Sequence, residues 1–174
     1  MEPLNNLSAI LRRLAMVLSL LIMLAATVWL AIIWPEIPDA VPSHFSADGS
    51  PDSYGGKLSL LAPLILGWVA VILFVVLEFF PQYWNIPQKS NGFRVSFGKL
   101  TGSNNGAQVT PGAQSSMRSL MAVDRLAIAA LFAVITICSA KGMALPTGVF
   151  AVIIIVMLTS SVFFSVQASR RNSK

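Results

Sequence analysis

The sequence is poor in the side chains on which most enzyme and metal sites depend. Its 174 residues include one cysteine, Cys138, and one histidine, His44, and only 11% of the residues are charged. A lone cysteine excludes an intrachain disulfide, a C-x-x-C redox pair and a cysteine-rich zinc site. The chain also lacks an internal repeat, which argues against a transporter built from inverted repeats. No cofactor is therefore expected.

Apolar residues are what the sequence has in excess. They make up 55% of a chain whose length suits one domain, and a soluble domain of this size is rarely so apolar. The net charge of +5 would suggest nucleic acid as a partner of a soluble protein. Here the basic residues lie beside the apolar runs, so orientation in a bilayer explains them better, and nucleic acid is not expected.

Four apolar segments predict an all-α integral membrane protein with transmembrane helices at residues 14–34, 58–80, 120–140 and 147–166. The first run is uncharged and, at about 1.5 Å per residue, long enough to cross a hydrocarbon core. It is therefore predicted to be a retained span rather than a cleaved signal peptide. The third run is the weakest candidate, because Asp124 and Arg125 lie about one turn inside it. The short turn and Pro146 that follow predict a tight helical hairpin with the fourth run.

The remaining segments are two termini and three connections, predicted at residues 1–13, 35–57, 81–119, 141–146 and 167–174. If the amino terminus is cytoplasmic, ten of the twelve lysines and arginines lie on the inner side, and only Lys57 and Lys141 lie outside. This positive-inside bias predicts cytoplasmic termini in a multi-pass protein of the bacterial inner membrane. The 35–57 connection is then extracytoplasmic and ordered by its turns.

This extracytoplasmic loop is rich in proline and glycine, which excludes a long helix and predicts extended pieces joined by turns. Asp48-Gly49 is a strong turn pair, and Asp52 after Pro51 predicts a second turn. The loop also carries the candidate binding residues of the chain, which are His44, Phe45, Asp48, Gly49, Asp52 and Lys57.

Three interpretations of this loop compete. In the first it is a structural cap, where Asp48 and Asp52 accept backbone N–H groups and His44 packs beside Phe45. In the second, His44 and the two aspartates converge on a divalent ion, although the closing glutamate of a calcium loop is missing and no metal is assigned. In the third, His44 activates a loop serine, but no third member of such a site is recognisable. No catalytic residue is assigned, and the chain is not expected to be an enzyme.

Three charged residues, Glu78, Asp124 and Arg125, fall near the inner membrane interface. A charge in lipid is costly unless it is paired, so we expect Arg125 to form an interhelical ion pair with Glu78 or with Asp124. A proton or ion pathway is the alternative. It would also need ionisable groups at the bilayer midplane, and spans one and four have none.

The inner connection, 81–119, has two unlike halves. Its first half carries the aromatic pair Tyr83 and Trp84 and an alternation of apolar and polar residues at 93–97, which is typical of a strand or an interfacial segment. Its second part, residues 101–116, is uncharged and rich in Gly, Ser, Asn and Gln. That composition predicts a flexible linker.

The loop sequence from residue 37, IPDAVPSHFSADGSPDSYGGK, resembles the signature of the bacterial domain-of-unknown-function family 1648, DUF1648. The matching positions are His44, Phe45, Asp48, Gly49, Pro51, Asp52 and Lys57. Trp84, Asn85 and Pro87 are similar to a W-N-x-P motif that follows in such proteins. The resemblance covers roughly residues 20 to 87. It implies a relation to membrane immunity proteins of the SdpI type, which protect a producing cell from an antimicrobial peptide and can hold a repressor at the membrane.

The first functional hypothesis is a non-enzymatic sensing or immunity-like protein. Its outer loop would meet a peptide, an ion or a protein, and its inner loop would meet a cytosolic protein. The alternative is a small transporter or permease subunit that uses Glu78, Asp124 and Arg125. The expected partners are the lipid bilayer, an extracytoplasmic peptide or protein, a cytosolic protein and, as a further candidate, a second copy of the chain.

Overall fold

The computed structural model describes residues 2–80 and 110–172. Four long helices carry most of these residues, and a β-hairpin lies between the first two. The elements are α1 (Glu2–Ile33), β1 (Ala40–Phe45), β2 (Pro51–Gly56), α2 (Leu61–Phe79), α3 (Pro111–Lys141) and α4 (Thr147–Asn172). Short 3₁₀ turns at Trp34–Glu36 and Lys57–Leu60 connect the hairpin to α1 and α2.

All four helices are long and apolar enough to cross a membrane, and the predicted all-α membrane architecture is confirmed. The outward faces of α1, α2 and α4 carry large exposed apolar side chains, such as Leu18 on α1, Ile72 on α2 and Leu158 on α4. In water such a surface would be unfavourable, whereas hydrocarbon solvates it and the helical backbone satisfies its own hydrogen bonds. The chain is therefore a multi-pass membrane protein.

Helix α3 is the centre of the bundle, although its sequence made it the weakest predicted span. It packs against α1, α2 and α4, whereas α1 and α2 touch each other much less. Its buried side includes Ala122, Ala129 and Ala133, and small side chains of this kind let helices approach closely in a membrane. At Gly67 of α2 the approach is close, since an added Cβ would lie 2.6 Å from Cε of Met23 on α1 and 2.8 Å from Cβ of Phe132 on α3.

Several predicted boundaries differ from the structure. Helix α3 begins at Pro111, so the part of the predicted linker from 111 to 119 is helical, and α4 continues to Asn172 through most of the predicted tail. Hydropathy missed both extensions because they are polar. Thr110 caps α3 by accepting a hydrogen bond from the N–H of Ala113. Ser116 donates to Gln167 of α4 at 2.9 Å, so these polar turns satisfy each other.

The bundle has two chemically different ends. The hairpin end holds β1, β2 and the connection between α3 and α4. The opposite end, here called the arginine end, holds the start of α1, the start of α3 and the end of α4. The hydroxyl of Thr110 donates to the carbonyl of Arg171 there, at 3.0 Å.

Candidate functional site

The hairpin turn is built around Asp48 and Gly49. The N–H of Gly49 donates to the carbonyl of Ser46 at 2.9 Å, and the N–H of Ser46 donates to the carbonyl of Ser50 at 2.9 Å. Oδ1 of Asp48 accepts the hydroxyl of Ser46, the N–H of Ser50 at 2.9 Å and the hydroxyl of Ser50 at 2.7 Å. These donors, led by the Ser46 hydroxyl, lower the pKa of Asp48 from 3.8 to about 2. The predicted Asp48-Gly49 turn is confirmed.

The tip of the hairpin is docked onto the connection between α3 and α4. The N–H of Leu145 donates to the carbonyl of Gly49 at 2.8 Å, and Gly49 is buried. Its φ of +86° lies in the left-handed region, and an added Cβ would lie 2.3 Å from the carbonyl oxygen of Leu145. Only glycine fits both restrictions. We call this contact the tip dock.

The base of the hairpin is held against the bundle. The N–H of Lys57 donates to the carbonyl of Asp39 at 3.0 Å. Val41 is buried in the same cluster as Leu60 and Ala140, so β1 covers the ends of the helices. A two-stranded hairpin is marginal alone. The base and the tip dock therefore fix it as a platform.

The exposed side of this platform carries a side-chain hydrogen bond between the strands. Nδ1 of His44 lies 2.6 Å from Oδ1 of Asp52, with the ring N–H donating to the carboxylate. The side chains are 70% and 43% exposed. The register of β1 and β2 shifts on both sides of His44, and Asp52 lies in β2. The predicted second turn at Asp52 is therefore wrong, because strand pairing continues through Pro51.

The predicted binding residues do not form a single site. His44 and Asp52 meet, whereas Asp48 is bonded to the serines of its own turn and Gly49 belongs to the tip dock. Phe45 is half-buried in β1. Lys57 lies at the base, with Nζ 5.2 Å from the ring centre of Trp34. Within residues 2–80 and 110–172, no three His, Cys, Asp or Glu side chains come together as metal ligands.

The intramembrane charges separate into two polar contacts. Nη1 of Arg125 donates to Oε2 of Glu78 at 2.6 Å, and the Arg125 side chain is completely buried. Of the two predicted partners, Glu78 is thus the one that Arg125 contacts. Asp124 turns instead to α4, where it accepts the hydroxyl of Ser160 at 2.7 Å and that of Ser161 at 3.4 Å.

Three other predicted residues, Trp84, Asn85 and Pro87, lie outside the described residues. Two contacts of the hairpin end were not predicted. Leu145 of the tip dock acts through its backbone N–H, so no side-chain pattern could have indicated it. Lys141 lies with Nζ 5.8 Å from the ring centre of Trp29, which ties the end of α3 to α1.

The hairpin lies in a segment of the chain that is similar to a known family. Residues 21–67 match the family model described as Domain of unknown function (DUF1648). The predicted resemblance is thereby confirmed for the end of α1, the hairpin and the start of α2. The DUF1648 segment is also the part of the chain that carries the His44–Asp52 pair and Gly49.

One relative is an uncharacterized protein of Archaeoglobus fulgidus, which is 31% identical over 85 residues. That match covers 43% of this chain and 44% of the archaeal protein, so the chain aligns with less than half of its relative. No solved structure matches the chain.

Proposed function

We propose that this membrane protein is a non-enzymatic sensor or immunity-like protein whose DUF1648 hairpin recognises an extracytoplasmic peptide or protein. The observation that carries the proposal is the tip dock. A hairpin held at both its base and its tip presents a preformed surface, and a preformed surface loses less conformational entropy when it binds. The outward position of the hairpin rests on the ten arginines and lysines placed on the other side by the positive-inside rule.

The exposed strand β2 suits an extended peptide. The sheet has two strands, so each strand has one edge without a strand partner among the described residues. An extended peptide pairs with such an edge through its backbone, and neighbouring side chains then select its sequence. The hydrogen-bonded side chains of His44 and Asp52 are exposed at this surface, and Tyr54 is a 62% exposed aromatic side chain with a polar tip.

Binding at the hairpin has a direct mechanical route into the bundle. The tip dock joins Gly49 to the connection between α3 and α4, and α3 packs against every other helix. A ligand that strengthened or released this contact would bias the position of α3 relative to α1 and α2. Through α3 the change would reach the arginine end, where a cytosolic protein would respond.

The test is the response of cells to secreted antimicrobial peptides. Deleting the gene is expected to change survival against at least one peptide of a defined panel, or a membrane-stress reporter. Complementation with the His44→Ala, Asp52→Ala double variant should fail, whereas Ser53→Ala, on the same strand, should restore the response. If deletion changes neither peptide sensitivity nor the reporter, the proposed role is wrong.

A small transporter or permease subunit is the second candidate, supported by the buried ionisable residues of α2 and α3. Glu78 and Asp124 face different helices, however, and each is engaged with its own partner. A pathway would have to break both contacts. Flux in proteoliposomes that is unchanged in the Glu78→Gln, Asp124→Asn double variant would count against this candidate.

A further inference from the structure

A groove runs between α1 and α4 along the surface of α3. Its volume is about 470 Å³, and it is open toward the surroundings of the bundle. Apolar side chains line almost all of it, including Val123, Ala127, Val152 and Phe164. On α3 it extends from Ser119 to Ala130, about 17 Å at 1.5 Å per residue.

The position of the groove corresponds to one leaflet of the bilayer. Helix α3 runs from Pro111 to Lys141, and its apolar span was predicted at residues 120–140, so residues 119 to 130 cover the half of that span nearer the arginine end. A groove of this length and position matches one acyl chain of the adjacent leaflet.

The polar end of the groove is basic. Arg12 lines it, and Nη1 of Arg12 donates to the hydroxyls of Ser8 and Ser115 at 3.3 Å each. Arg118 lies close enough to Arg12 for mutual repulsion. Nε of Arg118 is buried and has no hydrogen-bond partner among the described residues. Arg125 is fully buried, and its Nε and Nη2 also lack a partner among those residues. Arg12 and Arg118 thus lie close together, and Glu78, which also attracts Arg12, is already engaged by Arg125.

Acidic side chains are scarce near these arginines. The chain's seven acidic residues are accounted for as follows: the hairpin segment holds Glu36, Asp39, Asp48 and Asp52, α3 holds Asp124 bonded to α4, and Glu78 pairs with Arg125. The last, Glu2, precedes Arg12 by ten residues on the same helix, about 15 Å along its axis. Arg12 and Arg118 therefore leave positive charge in excess of the one nearby carboxylate, and such an excess favours an external anion.

We infer that the groove binds an anionic phospholipid, with one acyl chain along α3 and the phosphate hydrogen-bonded by Arg12 and Arg118. An acyl chain alone would explain the groove but not the arginines. A free phosphate would explain the arginines but not the groove. Guanidinium groups recognise phosphate through paired N–H donors, and anionic lipids are abundant in the cytoplasmic leaflet, where the positive-inside rule places this end.

The test counts lipids bound to the full-length protein by native mass spectrometry. The purified protein is titrated with phosphatidylglycerol or with phosphatidylcholine of identical acyl chains. We expect one phosphatidylglycerol to stay bound under conditions that remove phosphatidylcholine. In Arg12→Gln its affinity should fall at least about tenfold, as expected for the loss of a charge-assisted hydrogen bond. Arg13→Gln removes the same charge from the neighbouring exposed position and should leave the affinity unchanged.

A second pair of variants tests the groove while leaving the arginines intact. Ala127→Leu fills the groove and should remove the bound lipid, whereas Ala151→Leu, on the exposed side of α4, should not. Inorganic phosphate should not compete at millimolar concentration. Equal retention of the two lipids, equal effects of Arg12→Gln and Arg13→Gln, or unchanged binding in Ala127→Leu would each overturn the inference. Competition by inorganic phosphate would overturn it in favour of a free anion.

Discussion

Replacing Gly49 by alanine tests whether the hairpin is held at its tip. At φ +86° an L-residue is strained by about 1 to 2 kcal/mol. The added Cβ would also overlap the carbonyl oxygen of Leu145 at 2.3 Å and Cγ2 of Thr147 at 2.8 Å. Overpacking of this kind costs about 1 to 3 kcal/mol. The overlap is relieved if the tip leaves the dock, which gives up a hydrogen bond of about 1 kcal/mol.

We therefore expect Gly49→Ala to shift the opening of the tip dock by about 3 kcal/mol, which corresponds to about a hundredfold in the opening equilibrium. The assay is hydrogen exchange of the protein in nanodiscs, read on peptides that contain the amide of Leu145. Its exchange should accelerate by about that factor, up to the limit of an unprotected amide. The amides of α3 should keep their protection, because the bundle does not depend on the tip.

Two other glycines serve as controls. Gly56 has an ordinary φ of −68° and open space around it, so Gly56→Ala should leave exchange at Leu145 unchanged. Gly142 has a φ of +65° and also open space, so Gly142→Ala adds backbone strain without a collision. Its effect on the tip dock should be smaller than that of Gly49→Ala. Equal exchange at Leu145 in wild type and Gly49→Ala would refute the tip dock as a restraint.

Three further predictions concern single contacts. Glu78→Gln leaves the buried charge of Arg125 without its partner and should lower the free energy of unfolding by about 3 to 5 kcal/mol, measured by thermal unfolding. Adding Arg125→Met should recover part of this loss. Strictly additive effects of the two substitutions would contradict a coupled pair. Thr27→Val removes the hydroxyl that accepts the indole N–H of Trp68 at 2.9 Å, and it should lower the free energy of unfolding by about 1 to 3 kcal/mol. Thr159→Val, on the exposed side of α4, should leave that free energy unchanged. The pKa of Asp48 is lowered on folding, so its carboxylate stabilises the turn above its ordinary pKa of 3.8, and that stability is lost as the pH falls toward about 2. Exchange of the Ser50 amide should rise over that range in wild type and be pH-insensitive, after correction for intrinsic rates, in Asp48→Asn.

The sequence predicted those parts of the fold that depend on a few consecutive residues. Uncharged runs predicted the spans, and Asp48-Gly49 predicted a turn, because each signal lies within a few consecutive residues. The central position of α3 was not predictable in this way. Arg125 and Asp124 lower the hydropathy of that helix, yet both are buried against partners from other helices. Hydropathy scores a residue as if it faced lipid and therefore undervalues a helix whose polar groups face protein.

The candidate site was predicted in composition but not in arrangement. The residues of the DUF1648 signature were identified, whereas their division among an exposed hydrogen-bonded pair, a turn and the tip dock depends on the register of β1 and β2. That register shifts on either side of His44. Gly49 was predicted as a turn glycine, but its contact with Leu145 is made across 96 positions of the chain by two backbone groups. No pattern of side chains encodes such a contact.

The proposed recognition role requires the hairpin to lie outside the cell and the arginine end to lie inside. Both can be measured with single cysteines in a Cys138→Ala background. Ser53→Cys places a thiol on exposed β2, and Asn172→Cys places one at the end of α4. In intact cells a membrane-impermeant maleimide should label Ser53→Cys fully, and should label Asn172→Cys only after permeabilisation. The reverse pattern, or labelling of both positions in intact cells, would contradict the outward hairpin and the recognition role built on it.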